Sequence, residues 1–297
     1  MVPKDVMLAF GIDQHARLKS LPGGSLTCYL AGDDIVFRPS EDDAESEQIG
    51  QIMRKLSTIR SPSAPYRVSC PISVADNPTR FVHKGWTAWS FVSGQPRDEM
   101  RWDEILQTCR AFHQDIEKLD MAKPEFLSRR ISRFREADRV AWDEKQLSDL
   151  PMVADDDLWS RIGSALRQLK SLKRELSDAT RFQLVHGDIA GNMLFEADGQ
   201  PPAIIDLTFY WRPAATAAAI VVADGLMWNG QGDELIKIYG TDSDSIQILI
   251  RALLFRTVTW AVDLTVVSAE SDAAWRRKML PMVSFDEPVL LISKYVE

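Results

Sequence analysis

Apolar and polar positions divide this chain into two parts. Up to about residue 93 the apolar residues come in short runs broken by turn signals, which predicts a strand-rich region. A short apolar segment at 6–10 leads to Leu21-Pro22-Gly23-Gly24-Ser25, a turn signal. Residues 26–30 and 34–38 then read as two strands joined by a tight Ala31-Gly32-Asp33 turn, and Pro39 closes the second. The acidic stretch 40–43 suits the positive end of a helix dipole, and Ile49, Ile52, Met53 and Leu56 mark one face of the helix that follows. After a proline-rich break at 61–65, strand-like runs at 66–74 and 81–92 lead to Ser93-Gly94-Gln95-Pro96, a hinge between lobes.

From Arg97 onward the spacing is mainly helical. One helix is predicted over 102–119, with Ile105, Leu106, Cys109, Phe112, His113 and Ile116 on its apolar side, and another over 158–176. Short apolar strands at 182–185 and 203–205 follow, and from 214 to 267 apolar helix alternates with short polar loops. The pattern is that of an α+β chain with a small β-rich N-terminal lobe, 1–93, and a larger, mainly helical C-terminal lobe, 94–297.

Composition narrows the function classes. In 297 residues, 45% are apolar and 26% charged, as in an ordinary soluble globular protein. The net charge of −8 argues against a nucleic-acid partner, which calls for a basic face. Cys28, Cys70 and Cys109 are odd in number and far apart, so neither a disulfide framework nor a CxxC metal site is expected. Asp13 and His15 interrupt any signal-peptide core, and the apolar stretch 213–223 stops at Asp224, too short to span a bilayer. A cytoplasmic protein with no membrane partner is the expectation.

Residues 184–206 carry the candidate chemistry. A buried strand delivers His186-Gly187-Asp188 into a loop, Asn192 follows, and a hairpin (193–195, Asp198-Gly199, 203–205) ends at Asp206. Phosphoryl transfer needs these residue types in this order: one carboxylate, Asp188, to orient the attacking hydroxyl, then an amide oxygen and a second carboxylate, Asn192 and Asp206, to hold Mg²⁺ against a triphosphate. A lone His-Gly-Asp is also compatible with a plain turn. Upstream, Arg38 ends the third predicted strand and Glu45 lies on the inward face of the next helix, as the phosphate-binding basic residue and its carboxylate do in protein kinases. Glu47 is the second candidate for that carboxylate, and a surface arginine with a solvated glutamate is the plainer alternative. Gly23-Gly24-Ser25 stands where a phosphate-covering loop belongs.

The block from His186 to Asn192, with Ile204-Ile205-Asp206 after it, resembles the catalytic loop and metal aspartate of the aminoglycoside phosphotransferase/choline kinase superfamily. Residues 8–11, 21–24, 38–39, 137–142 and 210–213 resemble an uncharacterised actinobacterial branch of it. The resemblance implies a protein-kinase-like two-lobe fold. It also implies a small-molecule kinase that moves the γ-phosphate of ATP or GTP, with Mg²⁺, to a hydroxyl of a sugar, amino sugar or amino alcohol. Asp188 would be the catalytic group, Asn192 and Asp206 the Mg²⁺ ligands, Arg38 the α/β-phosphate contact and Glu45 its support. The backbone of the hinge strand, at Phe91 and Val92, would receive the base. The chain departs from the family in three ways: Asp188 to Asn192 is four steps instead of five, arginine replaces the third-strand lysine, and Leu207-Thr208 follows Asp206. These departures keep open the alternative of a nucleotide-binding or scaffolding pseudokinase without phosphotransfer. A hydrolase has little support, since no G-x-S-x-G elbow or histidine metal spacing is present.

Four further features invite a reading. His186 is expected to shape the loop, and His113 to be a core or lobe-interface residue. The five arginines 129, 130, 133, 135 and 139 read first as a solvated helix face, with a substrate-side anion site as the sharper alternative. Asp155-Asp156-Asp157 reads as an acidic helix start before it reads as a site for a polycation. Asp224, alone in an apolar run, needs a partner such as Arg251 or Arg256.

Overall fold

A computed structural model describes residues 1–21, 27–96, 101–197, 199–263 and 276–296. In the N-terminal region β1 (Leu18–Leu21), β2 (Cys28–Ala31), β3 (Ile35–Pro39), β5 (Pro71–Ile72), β6 (Val82–His83) and β7 (Trp86–Ser90) form one antiparallel sheet. Its order is β1-β2-β3-β7-β5, with β6 also on β7. Phe37 and Ala88 face each other across β3 and β7 on the covered side of the sheet. The short apolar segment near the N-terminus is a helix, α1 (Lys4–Ala9), whose Val6 and Met7 cap that side. Phe10 just beyond it packs edge-on against Phe37, with ring centroids 5.8 Å apart. The 31–33 turn is present, with Gly32 at φ 62°.

The helix α2 (Asp43–Ile59) begins where the acidic stretch predicted, capped by the Asp42 carboxylate accepting the Glu45 N–H at 2.9 Å. Its face of Ile49, Ile52, Met53 and Leu56 is buried as the spacing requires. That face joins the large core shared with the C-terminal helices, while the helix also touches the N-terminal sheet, Arg54 donating to Pro71 O of β5 at 3.2 Å. The short strand β4 (Arg67–Val68) reaches across in the same sense, pairing in parallel with β10 (Ala203–Ile204), which pairs antiparallel with β9 (Met193–Leu194). Gln95 exchanges both backbone hydrogen bonds with Phe195 at 3.0 Å, so the linker after β7 is tied to this small sheet. Gly94 there has φ 132° and lies against Leu194 so closely that a Cβ would stand 2.9 Å from the leucine Cβ.

The C-terminal part is helical: α3 (Trp102–Glu117), α4 (Phe126–Arg129), α5 (Arg133–Ala141), α6 (Asp156–Leu172), α7 (Ala215–Trp228), α8 (Asp233–Tyr239), α9 (Ser243–Ala261) and α10 (Asp286–Ser293). Helices α7 and α9 are apolar nearly all round and therefore occupy the centre, with α5 and α6 packed on α9. Asp155 caps α6, so the run of three aspartates is a helix start. Among the described residues no helix is long and apolar enough to cross a membrane.

Two expectations are corrected. The strand β11 (Phe209–Pro213), antiparallel to β8 (Phe182–His186), was not foreseen, because its run of aromatics lacks the alternation that marks a strand. Nor is α5 a solvated face. Its Arg135, Glu136 and Asp138 are buried: β11 presents Arg212 to Asp138, Arg135 lies 3.7 Å from the same carboxylate, and Glu136 is paired with Lys145 at 2.7 Å. Arg212 donates from Nε and Nη2 to the two Asp138 oxygens at 2.9 and 2.6 Å, and from Nη1 to Glu144 at 2.5 Å. Burial works against the guanidinium charge, but Asp138 and Glu144 outweigh it and raise the Arg212 pKa. Trp142 lies under both Arg212 and Arg251, at 5.0 and 5.3 Å from ring centroid to guanidinium carbon.

Candidate active site

The strand β8, anchored by the buried Leu184 and Val185, ends in the buried His186, and the buried Gly187 after it brings Asp188 to the surface of the core. The loop is held by histidine side chains bonded to backbone. His113 on α3 accepts the His186 N–H at Nε2 (2.9 Å) and contacts the Cys109 carbonyl through Nδ1 at 2.6 Å. His186 accepts the Asp188 N–H at Nδ1 (3.3 Å). Gly187 lies against the Tyr210 ring, where a Cβ would sit 2.3 Å from a ring carbon, so no side chain fits. Its N–H donates to the Thr208 carbonyl at 2.9 Å.

Burial lowers the His113 pKa to about 4. The neutral ring is what the contacts require, because Nε2 must accept. A group whose folded pKa lies below the unfolded value of about 6.5 contributes stability above that value and loses it as pH falls towards 4. The contribution is roughly 3 kcal/mol when complete. His186, also buried, shifts in the same direction. Melting temperature should therefore drop between about pH 6.5 and 4, and His113→Gln should flatten that acid limb. Identical limbs in the two proteins would remove His113 as the cause.

The four-step interval from Asp188 to Asn192 is closed by a single 3-10 turn (Ala190–Asn192), with the Asn192 N–H donating to Ile189 O at 3.1 Å. This turn brings the Asn192 side chain back onto Asp188. Its Nδ2 donates to the Asp188 carbonyl at 2.8 Å and to Oδ2 at 3.1 Å. The Asn192 carbonyl accepts the Ile205 N–H at 3.0 Å, which brings the residue before Asp206 up to the same loop. Asp206 itself has φ 48°, a conformation that costs a non-glycine residue energy and clusters at functional sites. Its carboxylate is ion-paired with Arg38 at the end of β3. Asp188, Asn192, Asp206 and Arg38 are thus brought together.

Glu45 does not join Arg38. It is nearly buried and pairs with Arg130, whose Nε lies 3.3 Å from Oε2, because α4 packs across α2. Glu47 accepts the Phe81 and Val82 N–H groups at 2.9 and 3.0 Å and so is structural. Phe91 is part-exposed and donates its N–H to Asp34 O at 2.6 Å, which leaves Val92 as the next hinge amide. Gly23, Gly24 and Ser25 lie outside the described residues, as does Asp198 of the hairpin.

Asp224 finds one of the two arginine partners expected for it, and that arginine makes a second contact that was not anticipated. Asp224 on α7 takes both Nε and Nη2 of Arg256 on α9 at 2.7 and 2.6 Å, the pairing its apolar setting called for. The same Nη2 also reaches Asp188 Oδ1 at 3.0 Å. The signal was a single arginine in the otherwise apolar run 252–258; its second partner could not be read from it. Arg130 stands in the arginine-rich stretch 129–139, but nothing in that stretch names Glu45 as its partner.

The donor set suits a hard cation. With Asn192 Nδ2 committed to Asp188, its Oδ1 is the available atom, and Asp206 already holds a positive group. An amide oxygen and a carboxylate are the kind of sparse protein ligation Mg²⁺ takes when phosphates and water complete its shell. Among the described residues no group of three or more His, Cys, Asp or Glu is arranged to hold a metal ion.

No curated protein matches the chain in sequence. Solved structures match it over nearly its whole length. The microcompartment-associated aminopropanol kinase is 14% identical, with 98% of this chain and 96% of that one covered and a TM-score of 0.62. Spectinomycin phosphotransferase, solved with ADP and spectinomycin, is 15% identical with the same coverage and a TM-score of 0.60. An aminoglycoside phosphotransferase from Alicyclobacillus acidocaldarius is 14% identical, with 99% and 95% covered and a TM-score of 0.58. At such identities the likeness carries the fold, an antiparallel-sheet N-terminal region followed by a helical part, as the sequence led us to expect. The model of the phosphotransferase enzyme family matches residues 21–219, more than half of the chain, and the protein belongs to that family.

Proposed function

We propose that the protein is a small-molecule kinase that transfers the γ-phosphoryl of ATP or GTP to a hydroxyl of a sugar, amino sugar or amino alcohol, with Mg²⁺. The observation that carries this reading is the convergence of Asp188, Asn192, Asp206 and Arg38 through the contacts above. In this reading Asp188 orients the acceptor hydroxyl and takes its proton late, as suits a loose transition state. Asn192 Oδ1 and the Asp206 carboxylate hold Mg²⁺, which when bound neutralises charge on the phosphate oxygens. Arg38 offers a bidentate fork to the α/β-phosphates, and Gly23, Gly24 and Ser25 cover them. The hinge backbone at Phe91 and Val92 receives the base, and the lobes divide near residue 93. Related folds solved with ADP or with GDP and kanamycin support a nucleotide and a hydroxylated acceptor without choosing between the nucleotides.

A nucleotide-binding protein without transfer is the second reading. It is favoured by the ion pair Arg38–Asp206, which occupies groups that transfer would use. A thermal-shift titration of ATP and GTP, each with and without Mg²⁺, tests the binding that both readings share. Saturation at about 100 times Kd should raise the melting temperature by on the order of 5 °C only when nucleotide and metal are both present. Asp206→Asn should abolish the metal requirement together with most of the shift. No shift under any combination would overturn the site.

A further inference from the structure

We infer that Arg256 is a positioning residue for the Asp188 carboxylate, with Asp224 as its buried anchor; the inference rests on the kinase reading above. The Asp188 side chain is 48% exposed, as a group that meets an acceptor must be, whereas Arg256 and Asp224 are 11% and 17% exposed. An exposed carboxylate is therefore clamped from beneath by a charge pair almost out of water, where each contact is strengthened. Arg256 Nη2 donates to Oδ1 of Asp188 at 3.0 Å and Asn192 Nδ2 donates to Oδ2 at 3.1 Å. With a donor on each oxygen the carboxylate plane is fixed, and the remaining lone pairs face outward.

The arrangement exceeds what folding alone asks for. Asp224 by itself satisfies the guanidinium fork in bidentate geometry, and a half-exposed Asp188 needs no buried counter-charge to be solvated. The loop residues between Asp188 and Asn192 are Ile189, Ala190 and Gly191, none of them cationic. The positive charge beside Asp188 is thus supplied by α9, far along the chain. Its service to Asp188 is geometric: the acceptor hydroxyl meets an oxygen held in one place, and a misplacement of about 1 Å at such a centre costs about 10²-fold in rate.

The test measures ADP formation from ATP and Mg²⁺, with aminopropanol as the probe acceptor and water as the background acceptor. Arg256→Lys keeps the buried charge but cannot fork onto Asp224 and reach Asp188 together. It is expected to lower kcat by about 10 to 10²-fold with KM for ATP within about threefold. In an Asp188→Ala background the same change should cost nothing further, because its target is gone. Asp224→Asn, which loosens the anchor, should lower kcat in the same direction and serves if the lysine variant does not fold. Wild-type kcat in Arg256→Lys, an equal loss in both backgrounds, or a rise in KM alone would overturn the role of Arg256 while leaving the kinase reading intact. Absence of nucleoside diphosphate formation by the wild type from ATP and from GTP, with aminopropanol, spectinomycin, kanamycin or water as acceptor, would overturn the kinase reading itself, and the positioning role with it.

Discussion

Asp188→Ala is expected to lower kcat by at least about 10²-fold, the loss that follows removal of a positioned proton acceptor, while the fold and nucleotide binding survive. Survival is expected because the loop does not hang on this carboxylate. Gly187 N–H remains on Thr208 O, Asn192 N–H on Ile189 O and Asn192 Nδ2 on the Asp188 carbonyl, all of which alanine preserves. Arg256 keeps both contacts to Asp224 and so is not stranded. The measurements are steady-state turnover, melting temperature and the Mg·ATP thermal shift on one preparation. Turnover at the wild-type rate would sink the assignment of Asp188; loss of the thermal shift would mean that the residue serves binding instead.

The largest stability effect is expected at Arg212. Truncation to alanine leaves Asp138 buried at 4% exposure without its bidentate partner, and among the described residues the other cation paired with it is Arg135 at 3.7 Å. Breaking a buried pair by removing one member costs about 3–5 kcal/mol, since the surviving charge has no solvent to turn to. Replacing the whole cluster, Arg212→Met with Asp138→Leu and Arg135→Met, should be much closer to neutral, because Arg135, whose ion pair is with Asp138, is then not left behind as a buried charge. Urea unfolding of the wild type and the two variants checks this, and a loss below about 1 kcal/mol in Arg212→Ala would show that water reaches Asp138. Since β11 carries Arg212 and pairs with β8, the pair also supports the strand that delivers Asp188.

Local order along the chain was determined by the sequence. The spacing of Ile49, Ile52, Met53 and Leu56 specifies a one-sided helix, Ala31-Gly32-Asp33 a hairpin, and the interval from His186 to Asp206 a loop followed by a second hairpin. Each is set by neighbours within about seven positions, where backbone geometry alone relates one side chain to the next. Partner choice was not determined there. Nothing near Glu45 in the chain indicates that Arg130 will take it in place of Arg38, or that Arg212 will pair with Asp138 on a helix that reads as solvated. Nor does anything near Asp188 point to Arg256. Charged groups have no periodicity that names a partner: an ion pair forms where packing of apolar faces brings opposite charges together and removes the water between them. Only when α7 and α9 settled into the centre, with β11 laid along β8, did those pairings become defined. The motif residues could be read from the chain, but the charges that hold them in place had to be read from the fold.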